Sequence, residues 1–229
     1  MSRSLTALIA PIALASTLVF GIQAHAATLS FGGFANGAES VNVDLTAPNV
    51  ALSESVAAGG FSTSLNGGTS FTTYCIDLYE GIAFGPTYSD YSVVDGASHA
   101  FANANANADI GKLYAENNLV DSSKAQAAFQ IAIWEITYET SGTYDLGSGS
   151  AKFTGGSADS SGALALASTW LGALATTQNG SYTVTTFESI GRPGHQDQVF
   201  AIPEPSTYAL MAAGLMCVGF VARRRSAQR

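Results

Sequence analysis

Positive charge is nearly absent from the middle of this 229-residue chain. Of its 9 Lys and Arg, only Lys112, Lys124, Lys152 and Arg192 fall within 27–202, whereas all but Glu204 of its 17 Asp and Glu lie there. So acidic a surface neither wraps nucleic acid nor settles on anionic lipid, since both demand clustered Lys and Arg. No nucleic-acid partner is expected. Histidine is as sparse, with 3 in the chain. His99, His195 and Cys75 lack metal-ligand spacing, and the carboxylates show no calcium-loop pattern. No Gly-rich phosphate loop precedes a helix, and no internal repeat is visible, so neither metal nor cofactor is expected. Cysteine is the third scarcity, at 2 residues. Cys217 sits in an apolar tail, which leaves Cys75 without a partner in 27–202. A lone thiol in an oxidising compartment invites stray disulfides. It is either a buried small hydrophobe, the commonest fate of a free cysteine, or a reactive group.

Both ends read as addresses rather than fold. At the start, Arg3 supplies a positive charge, 5–22 is apolar apart from an interruption at Pro11, and Ala24-His25-Ala26 forms an A-x-A site. A signal peptide over 1–26 and a mature start at Ala27 follow; a membrane anchor is the alternative. At the other end, Pro203-Glu204-Pro205 leads into an uncharged stretch, 208–222, and then Arg223, Arg224 and Arg225. The stretch is shorter than the ~20 residues of an ordinary spanning helix, and the Arg cluster suits a cytoplasmic flank. Residues 203–229 resemble the PEP-CTERM sorting signal, in which a Pro-Glu-Pro box, a short transmembrane helix and an Arg cluster are read by an exosortase. The resemblance implies export by a Gram-negative bacterium, an inner-membrane intermediate, and delivery to the cell surface or extracellular matrix. A plain tail anchor would have no need of such a box.

Between these ends, 27–202 is long enough for one ordinary core. Alternation in 28–56 predicts three short strands, with Leu29 and Phe31, Val41 and Val43, and Val50 and Leu52 as their apolar residues. A Gly/Ser/Asn-rich loop is expected over 59–70, then strands over 71–79 and 88–94. The small-and-polar tract 101–108 favours neither strand nor helix, with Asp109 the candidate cap of a short helix after it. Asp121 or Ser122 caps a helix over 123–138 that is apolar on nearly every side. A Gly/Ser-rich linker over 141–161, a helix over 163–175, and strands over 182–187 and 198–202 complete the domain. Strands, helices and strands again predict an α+β fold, an antiparallel β-sandwich or barrel with a helical insertion.

Two stretches carry chemistry. In the strand 71–79, alternation puts Phe71, Thr73, Cys75 and Asp77 on one face and Tyr74 on the other. Asp77 is thereby expected either to orient the thiol or to be solvated. In the helix, Gln126, Gln130, Trp134 and Tyr138 recur every four residues. A glutamine in a buried helix must find partners or cost about 1–3 kcal/mol; a satisfied core glutamine and a core Trp134 are the bland readings.

The motifs Tyr74-Cys75-Ile76-Asp77 and Gln130 with Ala132-Ile133-Trp134 resemble those of the thioester domains of bacterial surface adhesins. The resemblance implies an internal bond between Cys75 and Gln130, supported by Tyr74, Asp77 and Trp134, with the Trp134 indole shielding it from water. It further implies a single-use covalent attachment, without turnover, to an amine or hydroxyl on an unidentified protein or polysaccharide. Two other readings stand beside it: a non-reactive structural protein of a biofilm matrix, and a hydrolase using Cys75 with His195 and Asp197 or Asp77. The spacing of His99 and His195 gives the hydrolase no support, and both are expected in exposed loops.

Overall fold

Period-two alternation builds the first strands. Ala27, Leu29 and Phe31 are the buried residues of β1 (His25–Phe34), and Val41, Val43 and Leu45 those of β2 (Glu39–Leu45). The two strands nevertheless join different sheets. The computed structural model describes residues 25–117, 120–178, 182–191, 194–203 and 215–216. It contains a closed antiparallel barrel, ordered β1, β4 (Phe61–Leu65), β5 (Phe71–Cys75), β9 (Gln198–Pro203), β8 (Tyr182–Ser189) and β6 (Thr87–Asp95). In a separate three-stranded sheet, β2 lies between β3 (Leu52–Ala58) and β7 (Ala151–Thr154). Closure leaves the barrel without free edges.

The helices α1 (Ala106–Glu116), α2 (Ser123–Tyr138), α3 (Gly156–Ser160) and α4 (Ala163–Ala173) all fall between β6 and β8, so the insertion expected from the sequence is present and the β-architecture is a barrel. Ser122 caps α2, its Oγ accepting from Ala125 N at 3.3 Å. Every α2 residue from Gln126 to Tyr138 is buried, because the helix packs against β5 of the barrel, against β2, β3 and β7 of the second sheet, and against α1 and α4.

Four expectations need correction. The loop expected over 59–70 contains β4, whose Thr63 pairs with Phe71 and meets Thr73 diagonally across the ladder, the two hydroxyls 2.7 Å apart. Its buried polar residue hides the strand from an apolar count. The expected linker 141–161 contains β7 and α3; β7 is four residues long and buries Phe153, too little for periodicity to register. The strand expected over 71–79 ends at Cys75, because beyond it Tyr138 takes the backbone, accepting from Leu78 N at 2.8 Å and donating to Ile76 O at 3.0 Å. Asp109 is not a cap: α1 begins three residues earlier, after Asn105, and Asp109 lies in its first turn. Asn103 braces the preceding tract by donating to Ile136 O and Tyr144 Oη, each at 2.9 Å.

At the barrel's start, His25 pairs with Val93 and Ala26 with Ser92, so the ladder extends two residues before Ala27. Pro203 closes β9 opposite Tyr182. Glu204, Pro205, Arg223, Arg224, Arg225, Cys217 and nearly all of 208–222 lie outside the described residues. Among the described residues no helix is long and apolar enough to cross a membrane.

Candidate functional site

The ladder between β4 and β5 stops one step short of Cys75. Phe61 pairs with Thr73, and the chain before Phe61 then turns away, with Gly60 O accepting from Ala35 N. On its other side β5 pairs with β9, Cys75 opposite Gln198, and Ile76 N donates to Asp197 O at 3.0 Å. Cys75 would thus face the α2 side with an unmatched N–H and C=O. Gln130 fills the gap. Its Oε1 accepts from Cys75 N at 2.9 Å and its Nε2 donates to Cys75 O at 2.8 Å, so the carboxamide substitutes for the missing peptide of β4. Both residues are 0 % exposed. One turn earlier Gln126 does likewise for β4, accepting from Gly60 N at 2.8 Å and donating to Val120 O at 2.9 Å. A side chain on Gly60 would collide with that Gln126 oxygen.

The thiol itself donates to Asp77 O at 3.0 Å. This differs from the expected alternation: with the strand over at Cys75, Asp77 offers the sulfur its backbone carbonyl, while its carboxylate accepts from Tyr79 N at 2.8 Å. Burial raises the Asp77 carboxyl above its ordinary range and pushes the Cys75 thiol well above its own. The indole of Trp134 opposes the latter shift. Its Nε1 has no partner within hydrogen-bonding geometry, so it is a buried donor beside the sulfur rather than a bond to it. The ring lies parallel to Phe153, centroids 6.1 Å apart at 9°. Tyr74, on the opposite face of β5, packs on Phe129 of α2 at 4.7 Å and fixes strand against helix.

The structure therefore brings together Cys75, Gln130, Trp134 and the Asp77 backbone, with Tyr74 as a packing support. It adds Tyr138, which clamps Ile76 and Leu78. The four-residue recurrence that holds Gln126, Gln130 and Trp134 also contains Tyr138; the signal was there, and the stripe runs the length of the strand–helix seam. Asp197, expected only as an acid of the hydrolase reading, lies just before β9 and meets Ile76 through its backbone oxygen, a contact that follows from the pairing of β5 with β9.

Neither histidine serves the thiol. His195 Nδ1 is 2.8 Å from Asp90 Oδ2 and its ring lies 4.4 Å from that of Tyr88; His99 Nδ1 is 2.7 Å from Glu188 Oε1. Both are half-buried and anchored, contrary to the exposed loops expected. Among the described residues no group of three or more His, Cys, Asp or Glu is placed to hold a metal ion.

Beside the seam is a cavity of about 160 Å³ lined by Ile76, Asp77, Tyr79, Thr137, Tyr138 and Asp197, among others. Asp197 Oδ1 accepts from Ser189 N at 2.7 Å. Burial first, then the neighbouring carboxylate of Asp77, lifts its carboxyl to about 7.

Residues 201–225 match the PEP-CTERM protein-sorting motif. That motif implies processing by an exosortase and indicates export and surface sorting in Gram-negative bacteria. Among solved structures the chain is similar to the N-terminal domain of the Streptococcus pyogenes pilus tip adhesin Cpa, at 14% identity and a TM-score of 0.48, over 80% of this chain and 96% of that one. No match was found among curated proteins.

Proposed function

We propose that this sorted surface protein condenses Cys75 with Gln130 into an internal thioester and uses it once, to attach covalently to an amine or hydroxyl on a surface protein or polysaccharide. The reaction is redox-neutral and balanced. The Cys75 sulfur bonds to Gln130 Cδ, the Cδ–Nε2 bond breaks, and the thiol proton leaves with the nitrogen as ammonia. A nucleophile then displaces the sulfur from Cδ, which leaves an amide or ester to the target and returns the thiol.

The observation that carries this reading is the pair of hydrogen bonds between the Gln130 carboxamide and the backbone of Cys75 itself. They hold the electrophile on the residue that bears the nucleophile. Cys75 N–H already donates to Oε1, the atom that gains negative charge when sulfur attacks, and so serves as an oxyanion donor. Complete burial of both residues keeps bulk water from the product. Because the displaced group is part of the chain, the protein is consumed in the act and is no enzyme.

A second reading rests on the same two bonds. They give the oxygen and the nitrogen of the Gln130 carboxamide one partner each, as a non-reactive matrix protein would require, and burial keeps the Cys75 thiol protonated. A cysteine hydrolase lacks comparable support, because His99 and His195 are engaged with Glu188 and Asp90. The intact mass of the purified protein separates the first two readings. A deficit of one ammonia, absent in Cys75→Ala and Gln130→Ala and converted to an adduct by methylamine, is the expected result. Full mass with a titratable thiol would leave the structural reading.

A further inference from the structure

The structure assigns a second, non-covalent recognition site to the pocket between α1, the end of α4 and the turn 142–144, where one neutral hexopyranose unit of a glycan is held. The pocket shares no lining residue with the cavity beside the Cys75–Gln130 seam. The assignment is therefore independent of the thioester reading.

The pocket has a volume of about 350 Å³, within the range of small-molecule sites. Its two sides differ in chemistry. On one side Lys112 Nζ donates to Asp109 Oδ1 at 2.8 Å, three residues apart on α1, and the two side chains are only 18 % and 12 % exposed. Tyr144 Oη donates to the other oxygen, Asp109 Oδ2, at 2.6 Å, and itself accepts from Asn103 Nδ2 at 2.9 Å. Asn103 is fixed in turn by Ile136 O and Asn105 N, so the polar side is already ordered. The facing side is apolar, made by the buried Leu171 and Leu174.

Two features mark this arrangement as a site for a ligand. An ion pair withdrawn this far from water returns little net stability, yet it is built with capacity to spare: the ammonium keeps free donors and the carboxylate free lone pairs. The second feature is Gly172, which lines the pocket in the last turn of α4 without the positive φ that would require glycine. Glycine weakens a helix there. A Cβ at that position would meet nothing within 4 Å, so glycine relieves no clash and serves to keep the mouth of the pocket open.

The charges select the ligand. An anion would meet the Asp109 carboxylate and a cation the Lys112 ammonium, whereas neighbouring neutral hydroxyls suit both, one accepting from Nζ while the next donates to the carboxylate. The C–H face of the same pyranose ring then lies against Leu171 and Leu174. Thr143 and Gly172 are exposed at the rim, which lets the adjoining sugars of the glycan run out into solvent.

The test uses the full-length protein in a detergent that has no sugar headgroup. The probes are the methyl glycosides of glucose, galactose and mannose, the matching linear trisaccharides, and glucuronate, with binding read by saturation-transfer NMR and titration. At least one neutral glycoside is expected to bind in the millimolar range, with its trisaccharide binding at least as tightly. Gly172→Leu, which fills the mouth while favouring the helix, and Lys112→Met, which removes the donor, should each weaken that binding at least ~10-fold, with unchanged melting temperature for Gly172→Leu. Absence of binding by all three glycosides overturns the assignment, as does wild-type affinity in a folded Gly172→Leu protein. Tighter binding of glucuronate than of every neutral sugar, or exclusion of the trisaccharides, overturns it as well.

Discussion

Gln126 and Gln130 lie one turn apart on α2 and perform the same backbone service. Each carboxamide accepts from an N–H that the β4–β5 ladder leaves unmatched and donates to a carbonyl. The difference lies in what they touch. Gln126 meets Gly60, which has no side chain; Gln130 meets Cys75, which has a thiol. Hydrogen bonding alone therefore does not distinguish a structural glutamine from a reactive one. What distinguishes them is a nucleophile on the residue being served, with a buried indole and a carboxyl-lined cavity nearby.

The sharpest way to break that comparison is chemical. Gln130→Ala should abolish both the ammonia deficit and methylamine uptake, whereas Gln126→Ala should retain them, as read by intact mass. Equal loss in a folded Gln126→Ala protein would make the two glutamines equivalent.

Next comes stability, best measured in a Cys75→Ala background where no cross-link can form. There Gln130→Ala strands two buried backbone groups, Cys75 N and O, at about 1–3 kcal/mol each. Gln126→Ala strands Gly60 N in the same way, but Val120 is half-buried and its carbonyl can turn to water. Urea unfolding should therefore show the larger loss for Gln130→Ala.

A third polar side chain of α2 extends the comparison. Glu135 is 0 % exposed; its Oε1 accepts from Asp145 N at 2.7 Å, while Oε2 has no partner. Burial, aided by Glu139 and Asp145, raises its carboxyl to about 8. In the folded protein it stays protonated up to that pH, whereas unfolded it ionises near 4.5. The folded state thus holds the extra proton, and stability falls as pH rises from about 5 to 8. Asp197, lifted to about 7, adds to the same trend. Replacing Glu135 with Gln keeps the acceptor for Asp145 N and should remove its share of the slope, at most about 2 kcal/mol between pH 6 and 7.5. Unfolding curves at the two pH values check it.

The smallest effect belongs to the end of the stripe. Tyr138→Phe removes the clamp on Ile76 and Leu78 at a cost of about 1–2 kcal/mol. It should also make any thioester more open to hydrolysis, measured as recovery of free thiol over time.

Much of the site was legible because local patterns carry it. Ser122, the buried run after it and the four-residue recurrence describe α2 correctly, and the two short motifs contain Cys75 and Gln130. Asp77 was legible as a candidate partner of the thiol, but not its backbone carbonyl as the acceptor, because alternation assumes a strand that continues past Cys75. β4 and β7 were missed for a related reason: Thr63 and Thr73 bury hydroxyls against each other, and four residues with one large apolar side chain carry too little period.

The sequence by itself determined the strand–helices–strand order, the buried helix, the isolation of Cys75 and the sorting motif at 201–225, because each is written in periodicity, composition or a contiguous motif. Tertiary structure alone decided that the β4 ladder stops before Cys75, that Gln130 rather than Gln126 fills that gap, and that Asp197 comes to the same cavity as Asp77. Those are consequences of barrel closure and of the packing of α2 on β5, which together join residues 55 to 122 positions apart, and no local pattern encodes which strand will run out of partners.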